Sequence, residues 1–236
     1  MTEQEIWNML ERKEDLHWLY QYHILSPEQI NKALEIREDL DMLYWKQTLS
    51  PEQINKALME IRDDLDMLYW KQTLSPEQID KALYMGKNLS YLYKNQTLSP
   101  GQVDKALEMG EDLDILYKYQ TFSPKQIDKA LKIREYLGWL YEYHILSSEQ
   151  IDKALKTGED LDMLYWKQTL SPEQIDKALE IGRELDFLYK YQTVPLELRK
   201  KQFPKKYRNK EYKTETITNL EDFLIRLKKH IQNKGE

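Results

Sequence analysis

Residues 26–49 read S-P-E-Q-I-N-K-A-L-E-I-R-E-D-L-D-M-L-Y-W-K-Q-T-L, and at Ser50 the phrase begins again. Related segments start at Ser75, Ser99, Ser123, Ser147 and Ser171, with successive spacings of 24, 25, 24, 24, 24 and 24 residues from Ser26 onward. Thr2 stands 24 residues before Ser26 and heads a degenerate first copy. Eight copies therefore fill residues 2–194, starting at 2, 26, 50, 75, 99, 123, 147 and 171. The long copy gains its residue around Met59 and Glu60. A fixed period of this length marks a stacked repeat array.

Each copy reads as two short helices. Ser is the N-cap, Pro occupies the first helical position, and Glu follows where the positive helix end favours an acid. Ile79, Ala82 and Leu83 show the i, i+3, i+4 spacing of a buried stripe. Gly86, Gly110, Gly158 and Gly182 stand where a left-handed residue ends the first helix, but Arg37, Arg62 and Arg134 occupy the same place. The second helix is expected to start at the acidic pair, as at Glu111 and Asp112, with the stripe Leu113, Leu116, Tyr117 and Gln120. Helices of about ten residues are marginal alone, because nucleation is costly. Stacking buries their stripes, and stability becomes a sum over units and interfaces. The expected fold is all-α: an α-solenoid of eight two-helix repeats with a C-terminal capping helix.

The chain has 236 residues, 41% hydrophobic and 32% charged, with only 7 Gly and no Cys. That excludes a disulfide framework and a thiolate metal site. No apolar stretch follows the polar N-terminus, so neither a leader nor a membrane span is expected, and a cytoplasmic location fits. Residues 1–194 carry 23 basic and 35 acidic side chains, whereas residues 195–236 carry 12 and 6. The boundary near residue 194 thus separates regions of opposite charge.

The S-P-E-Q-I-D-K-A-L phrase at a 24-residue period resembles the short helical repeats of the leucine-rich-repeat-variant and HEAT-like kind. Such arrays occur in bacterial and bacteriophage proteins. The resemblance covers residues 2–194 and implies a binding scaffold without enzyme activity, for instance a phage product engaging or inhibiting a host factor. Those relatives often carry V-R-x-x-A in the second helix, where this chain carries D-L-D-M-L-Y.

Two positions are kept in all eight copies: the Leu series from Leu16 to Leu185, and Tyr20, Tyr44, Tyr69, Tyr93, Tyr117, Tyr141, Tyr165 and Tyr189. Helical spacing makes both series core, with the Tyr hydroxyl reaching a partner or the rim. Two residues before each Tyr stand Trp18, Met42, Met67, Tyr91, Ile115, Trp139, Met163 and Phe187, expected to be buried between adjacent repeats. The second helix is then apolar around most of its circumference. Trp45, Trp70, Trp166, Tyr119, Tyr143 and Tyr191 remain as the preferred contact surface, since Trp and Tyr are enriched at interfaces. Asp41, Asp66, Asp114, Asp162 and Asp186 accompany it. They are solvated acids at a helix N-terminus, or else an acidic stripe for a basic partner.

Leu16–Lys56 matches Leu137–Lys177 at an offset of 121 residues, with W-L-Y-x-Y-H-I-L-S at both Trp18 and Trp139. Segmental duplication explains that, and so would two sites for one partner. Residues 195–215 read as a basic linker containing Arg199, Lys200, Lys201, Lys205, Lys206, Tyr207 and Arg208, a composition able to hold phosphates and stack bases. Thr218 and Glu221 suggest a capping box, and Leu220, Phe223, Leu224, Leu227 and Ile231 make residues 216–236 an amphipathic end helix.

No nucleotide loop, nucleophile elbow or metal-ligand spacing is present. His23 and His144 occupy a phase held elsewhere by Gln47, Gln72, Gln96, Gln120, Gln168 and Gln192, which marks a hydrogen-bonding position rather than a catalytic base. The sequence points to a non-catalytic scaffold that binds a protein along the second helices and needs no cofactor or metal. The alternative is a nucleic-acid binder using residues 199–213.

Overall fold

A computed structural model describes residues 1–61, 65–195 and 198, and the expected basic segment and end helix fall outside these residues. The described residues form eight helix pairs without a strand. The first helices are Glu3–Arg12, Pro27–Ile36, Pro51–Lys56, Pro76–Met85, Pro100–Met109, Pro124–Ile133, Ser148–Thr157 and Pro172–Ile181. The second helices are Leu16–Tyr22, Leu40–Lys46, Leu65–Lys71, Leu89–Asn95, Leu113–Tyr119, Leu137–Tyr143, Leu161–Lys167 and Leu185–Tyr191. First helix packs on first helix and second on second, copy after copy, which is a solenoid. The second helices contact their neighbours more extensively than the first helices do. No described helix is long and apolar enough to cross a membrane.

The first helices begin as their sequence dictates. Ser26 Oγ accepts from the Gln29 amide at 3.3 Å, and Gln29 Oε1 accepts from the Ser26 amide at 2.9 Å. The same reciprocal box recurs in every copy, with Thr2 and Glu5 in the first. Caps of this kind are worth about 1 kcal/mol each. The extra residue of the third copy is absorbed by a π-helical turn, Ala57–Ile61, that continues the first helix. A π turn takes up one residue without breaking the helix. The second helix of that copy consequently starts at Leu65, in step with the others.

The connecting turn differs from expectation. The second helices begin at Leu40, Leu113 or Leu161, one residue after the acidic pair. The turn holds two left-handed residues. The first is Gly86, Gly110, Gly158 or Gly182 in four copies, and Lys13, Arg37 or Arg134 in three others. The second is Asp15, Asp39, Asn88, Asp112, Tyr136, Asp160 or Glu184. Asp and Asn tolerate this region better than most side chains. These residues do not cap their own helix. Asp112 accepts from the Ser90 amide at 2.9 Å and Asp160 from the Gly138 amide at 2.7 Å. An acid of one repeat therefore satisfies an orphan amide at the start of the preceding repeat's second helix.

The core is one continuous column. Tyr20, Tyr44, Tyr69, Tyr93, Tyr117, Tyr141 and Tyr165 are fully buried, and Tyr189 in the last copy is partly buried. Their hydroxyls do not reach the rim. Those of Tyr20, Tyr69, Tyr93, Tyr117 and Tyr165 are buried with no hydrogen-bond partner among the described residues, whereas that of Tyr141 approaches Thr157. Burial pushes the Tyr165 hydroxyl up to about 12, with the Glu184 carboxylate adding to the shift.

In most copies two glutamines stitch the repeat to the one before it. Gln47 donates to Tyr20 O and His23 O, both at 2.8 Å, and accepts from the Leu25 amide at 3.0 Å. Gln72, Gln96 and Gln168 repeat all three bonds onto the preceding copy. Gln120 and Gln192 do so as well. The capping-box glutamine is the second stitch: Gln53 donates to Pro27 O and Gln150 to Pro124 O, both at 2.8 Å. On the first-helix side, Lys129, Lys153 and Lys177 reach back to Asp104, Asp128 and Asp152 at 2.7, 3.0 and 2.8 Å.

One junction lacks the full clamp. His144 Nε2 lies 2.8 Å from Tyr117 O, and its ring lies tilted at 42° against Phe122 with centroids 4.6 Å apart. A carbonyl only accepts, so Nε2 carries the proton. One bond thus stands where glutamine makes three. Burial holds the His144 imidazole below its ordinary value near 6.5, the bond to Tyr117 O opposing the shift. The unfolded chain therefore binds a proton that the folded chain resists, and stability contributed here falls as pH drops below about 6.5. His144→Gln is expected to add about 1–2 kcal/mol at neutral pH by restoring the clamp. Its advantage over the wild type should widen on acidification, read from urea midpoints at two pH values. A gap that stays constant would mean His144 does not resist protonation.

Candidate functional site

The outward surface of the second helices follows from a rotation of about 100° per residue. Label the seven helical residues and the following Gln or His a to h. Positions a, d, e and h cluster on one side and are Leu, Leu, Tyr and Gln, the core. Positions b, c, f and g are left facing away. At c the expectation of burial fails in four copies: Trp18, Tyr91, Trp139 and Phe187 are exposed, Met67, Ile115 and Met163 are partly buried, and only Met42 is fully buried. Position c lies nearly opposite the core, so a rigid ring there stands out. A flexible Met can lean onto the preceding repeat. Met163 Cγ comes within 3.3 Å of where a Cβ on Gly138 would lie.

The six aromatic residues singled out in the sequence are all on this surface. Trp45, Trp70 and Trp166 are 44%, 48% and 46% exposed, and Tyr119, Tyr143 and Tyr191 are exposed beside them. They occupy f or g, at the C-terminal end of each second helix. Trp139 stacks on Tyr143 with centroids 5.8 Å apart, and Trp166 approaches Tyr191 of the next copy at 6.0 Å. Asp41, Asp66, Asp114 and Asp162 occupy b, at the other end of the same helices, and Asp66 accepts a hydrogen bond from the Asn88 side chain of the next turn.

Lysine, which sequence reading passed over here, lies among the rings. Lys71 Nζ sits 3.8 Å from the Trp70 ring centroid and 5.6 Å from that of Trp45. Lys118 lies 5.4 Å from Tyr119 and 5.1 Å from Trp139. Lys46, Lys167 and Lys190 lie over Trp45, Trp166 and Tyr191. An ammonium over an exposed ring gains about 0.5–1 kcal/mol. The sequence signal was the recurring Trp-Lys and Lys-Tyr at f and g. It was hidden because each lysine read alone looks like ordinary solvated charge.

The face thus has two edges: carboxylates with c side chains at one, rings with ammonium groups at the other. The duplicated copies add a local feature. Ile24 and Ile145 are 95% and 93% exposed, beside the ring pairs Trp18–Tyr22 and Trp139–Tyr143. Arg199, Lys200, Lys201, Lys205, Lys206, Tyr207 and Arg208 lie outside the described residues, so no geometry joins them to this face. No family model matches the chain, and neither a curated protein nor a solved structure matches it.

Proposed function

We propose that this chain is a non-catalytic scaffold that binds a protein along the outward face of its second helices. The observation that carries this reading is the exposed ring ladder from Trp45 to Tyr191 on an array whose stripes are otherwise buried. Stacking accounts for Leu, Tyr and Gln at a, d, e and h. It does not account for Trp held in water at three copies, because an exposed ring gains little from the fold and remains available to a partner. Short helices on a regular stack are a rigid frame, so a ligand would meet side chains already in place.

The test compares the wild type with Trp45→Ser/Trp70→Ser/Trp166→Ser as bait in extract from the native source. The expected result is a specific protein retained by the wild type, lost by at least about ten-fold with the variant, and kept by a first-helix control such as Lys132→Ser. The melting point of the triple variant should shift little, since the rings are half in solvent. The same protein retained equally by all three baits would end the reading.

A further inference from the structure

We propose that the ring-and-ammonium edge formed by copies two to five, with Lys46, Lys71, Lys94 and Lys118, binds an extended peptide carrying a carboxylate at every third residue. This deepens the protein-binding reading and rests on it. Lys46 lies 4.5 Å from the Trp45 ring, Lys71 bridges Trp45 and Trp70, Lys94 lies 6.0 Å from Tyr119, and Lys118 reaches Tyr119, Trp139 and Tyr143. None of these four ammonium groups has a carboxylate within ion-pair distance among the described residues.

Several lysines elsewhere are matched. Lys129, Lys153 and Lys177 each hold an Asp of the preceding copy. In copy six the edge carries Glu142 instead of a cation, and it takes Lys167 of copy seven at 3.0 Å. The unmatched run therefore has a definite end. Residues 1–194 carry a twelve-charge acidic excess, so four consecutive unpaired cations among exposed rings are an island of the opposite sign. Their complement is an anionic ligand with apolar groups between its charges.

Spacing selects the form of the ligand. Neighbouring packed helices lie roughly 8–10 Å apart. A polyproline-II chain advances about 3.1 Å per residue with three residues per turn, so residues three apart share one face and cover about one repeat. A peptide with an acid at every third position would set one carboxylate on each ammonium, with intervening side chains against the rings. A polyphosphate chain fits less well. Asp41, Asp66 and Asp114 stand one helical turn away on the same helices, and the array's field is negative, so a continuous line of phosphates meets repulsion there. A peptide presents main-chain N–H groups to the same carboxylates.

The test uses the full chain and fluorescence anisotropy at low ionic strength. The probes are a labelled twelve-residue peptide of four Glu-Tyr-Thr units, a peptide of identical composition with its glutamates clustered, and a twelve-nucleotide oligothymidylate. The periodic peptide should bind at least about ten-fold tighter than the clustered one. Lys71→Glu/Lys118→Glu should remove that binding, Lys71→Gln/Lys118→Gln should weaken it, and Lys132→Glu, exposed on a first helix, should leave it unchanged. Equal affinity for the two peptides, or binding to neither, would overturn the proposal. So would an oligothymidylate that binds tighter than the periodic peptide and loses affinity in the same double variant. Failure here with a protein still captured through Trp45, Trp70 and Trp166 would refute the acidic register alone. Failure of that capture would refute the binding face itself.

Discussion

Gln96→Ala is expected to lower the stability of the array by about 4 kcal/mol, a large effect for one polar side chain. Gln96 accepts from the Leu74 amide at 3.1 Å and donates to Tyr69 O at 2.6 Å and Gln72 O at 2.9 Å. All of these groups belong to the preceding repeat, and they lie in the buried layer between copies. Truncation leaves one amide and two carbonyls without the partner that replaces water, and each orphan costs about 1–3 kcal/mol. Gln96→Glu separates shape from bonding. It keeps the volume and the acceptor for Leu74 but faces two carbonyls with an acceptor that cannot donate. It should therefore destabilise at least as much as alanine at neutral pH and recover partly in acid, when the carboxyl can donate one bond. Urea midpoints followed by circular dichroism measure all three proteins. A loss below about 1 kcal/mol for Gln96→Ala would show that water reaches these groups.

Tyr117→Ala and Tyr117→Phe should differ in sign as well as size. The ring is fully buried, with Phe122 edge-on at 5.6 Å between centroids. Removing it should cost about 4 kcal/mol, as for other aromatic-to-alanine changes in cores. The hydroxyl has no hydrogen-bond partner among the described residues. Burial, with the nearby Glu135 carboxylate, holds it protonated well above the ordinary phenol range. Phenylalanine keeps the packing and removes a buried polar atom, so Tyr117→Phe should be neutral or stabilising by up to about 1 kcal/mol. Thermal and urea melts of both variants provide the check. A Phe variant that loses more than that would reveal a partner for the hydroxyl. An unchanged melt for the Ala variant would contradict the burial of Tyr117.

The spacing of Ser26, Ser50 and Ser75, the Leu and Tyr ladders, and the caps at each Ser were legible because their causes are local. A cap bonds three residues away, and a stripe recurs every three or four. Even the extra residue near Met59 was visible as a slip of one in the period, and the π turn at Ala57–Ile61 is how a helix holds it. Gln47 and its equivalents were recognised as hydrogen-bonding positions, but their targets were not. Those targets lie 22–28 residues back, on another copy. The repeat-joining role of Gln53 and Gln78 went unseen because the capping box already accounts for a glutamine there, although their side chains bond in both directions.

Sequence alone determined that residues 2–194 stack short amphipathic helices in eight pairs, and where each first helix begins, because propensity, capping and periodicity act within one copy. Tertiary structure decided which outward side chains stay in water, which acid caps which neighbour, and where lysines lie among the rings. Those outcomes depend on how one copy is rotated and shifted against the next, and no residue's own neighbours in the chain carry that information. Trp139 and Met163 hold the same place in their copies, yet the first stands exposed and the second lies against Gly138. A flexible thioether can lean onto the preceding repeat, which there offers Gly138, whereas a rigid indole stands out.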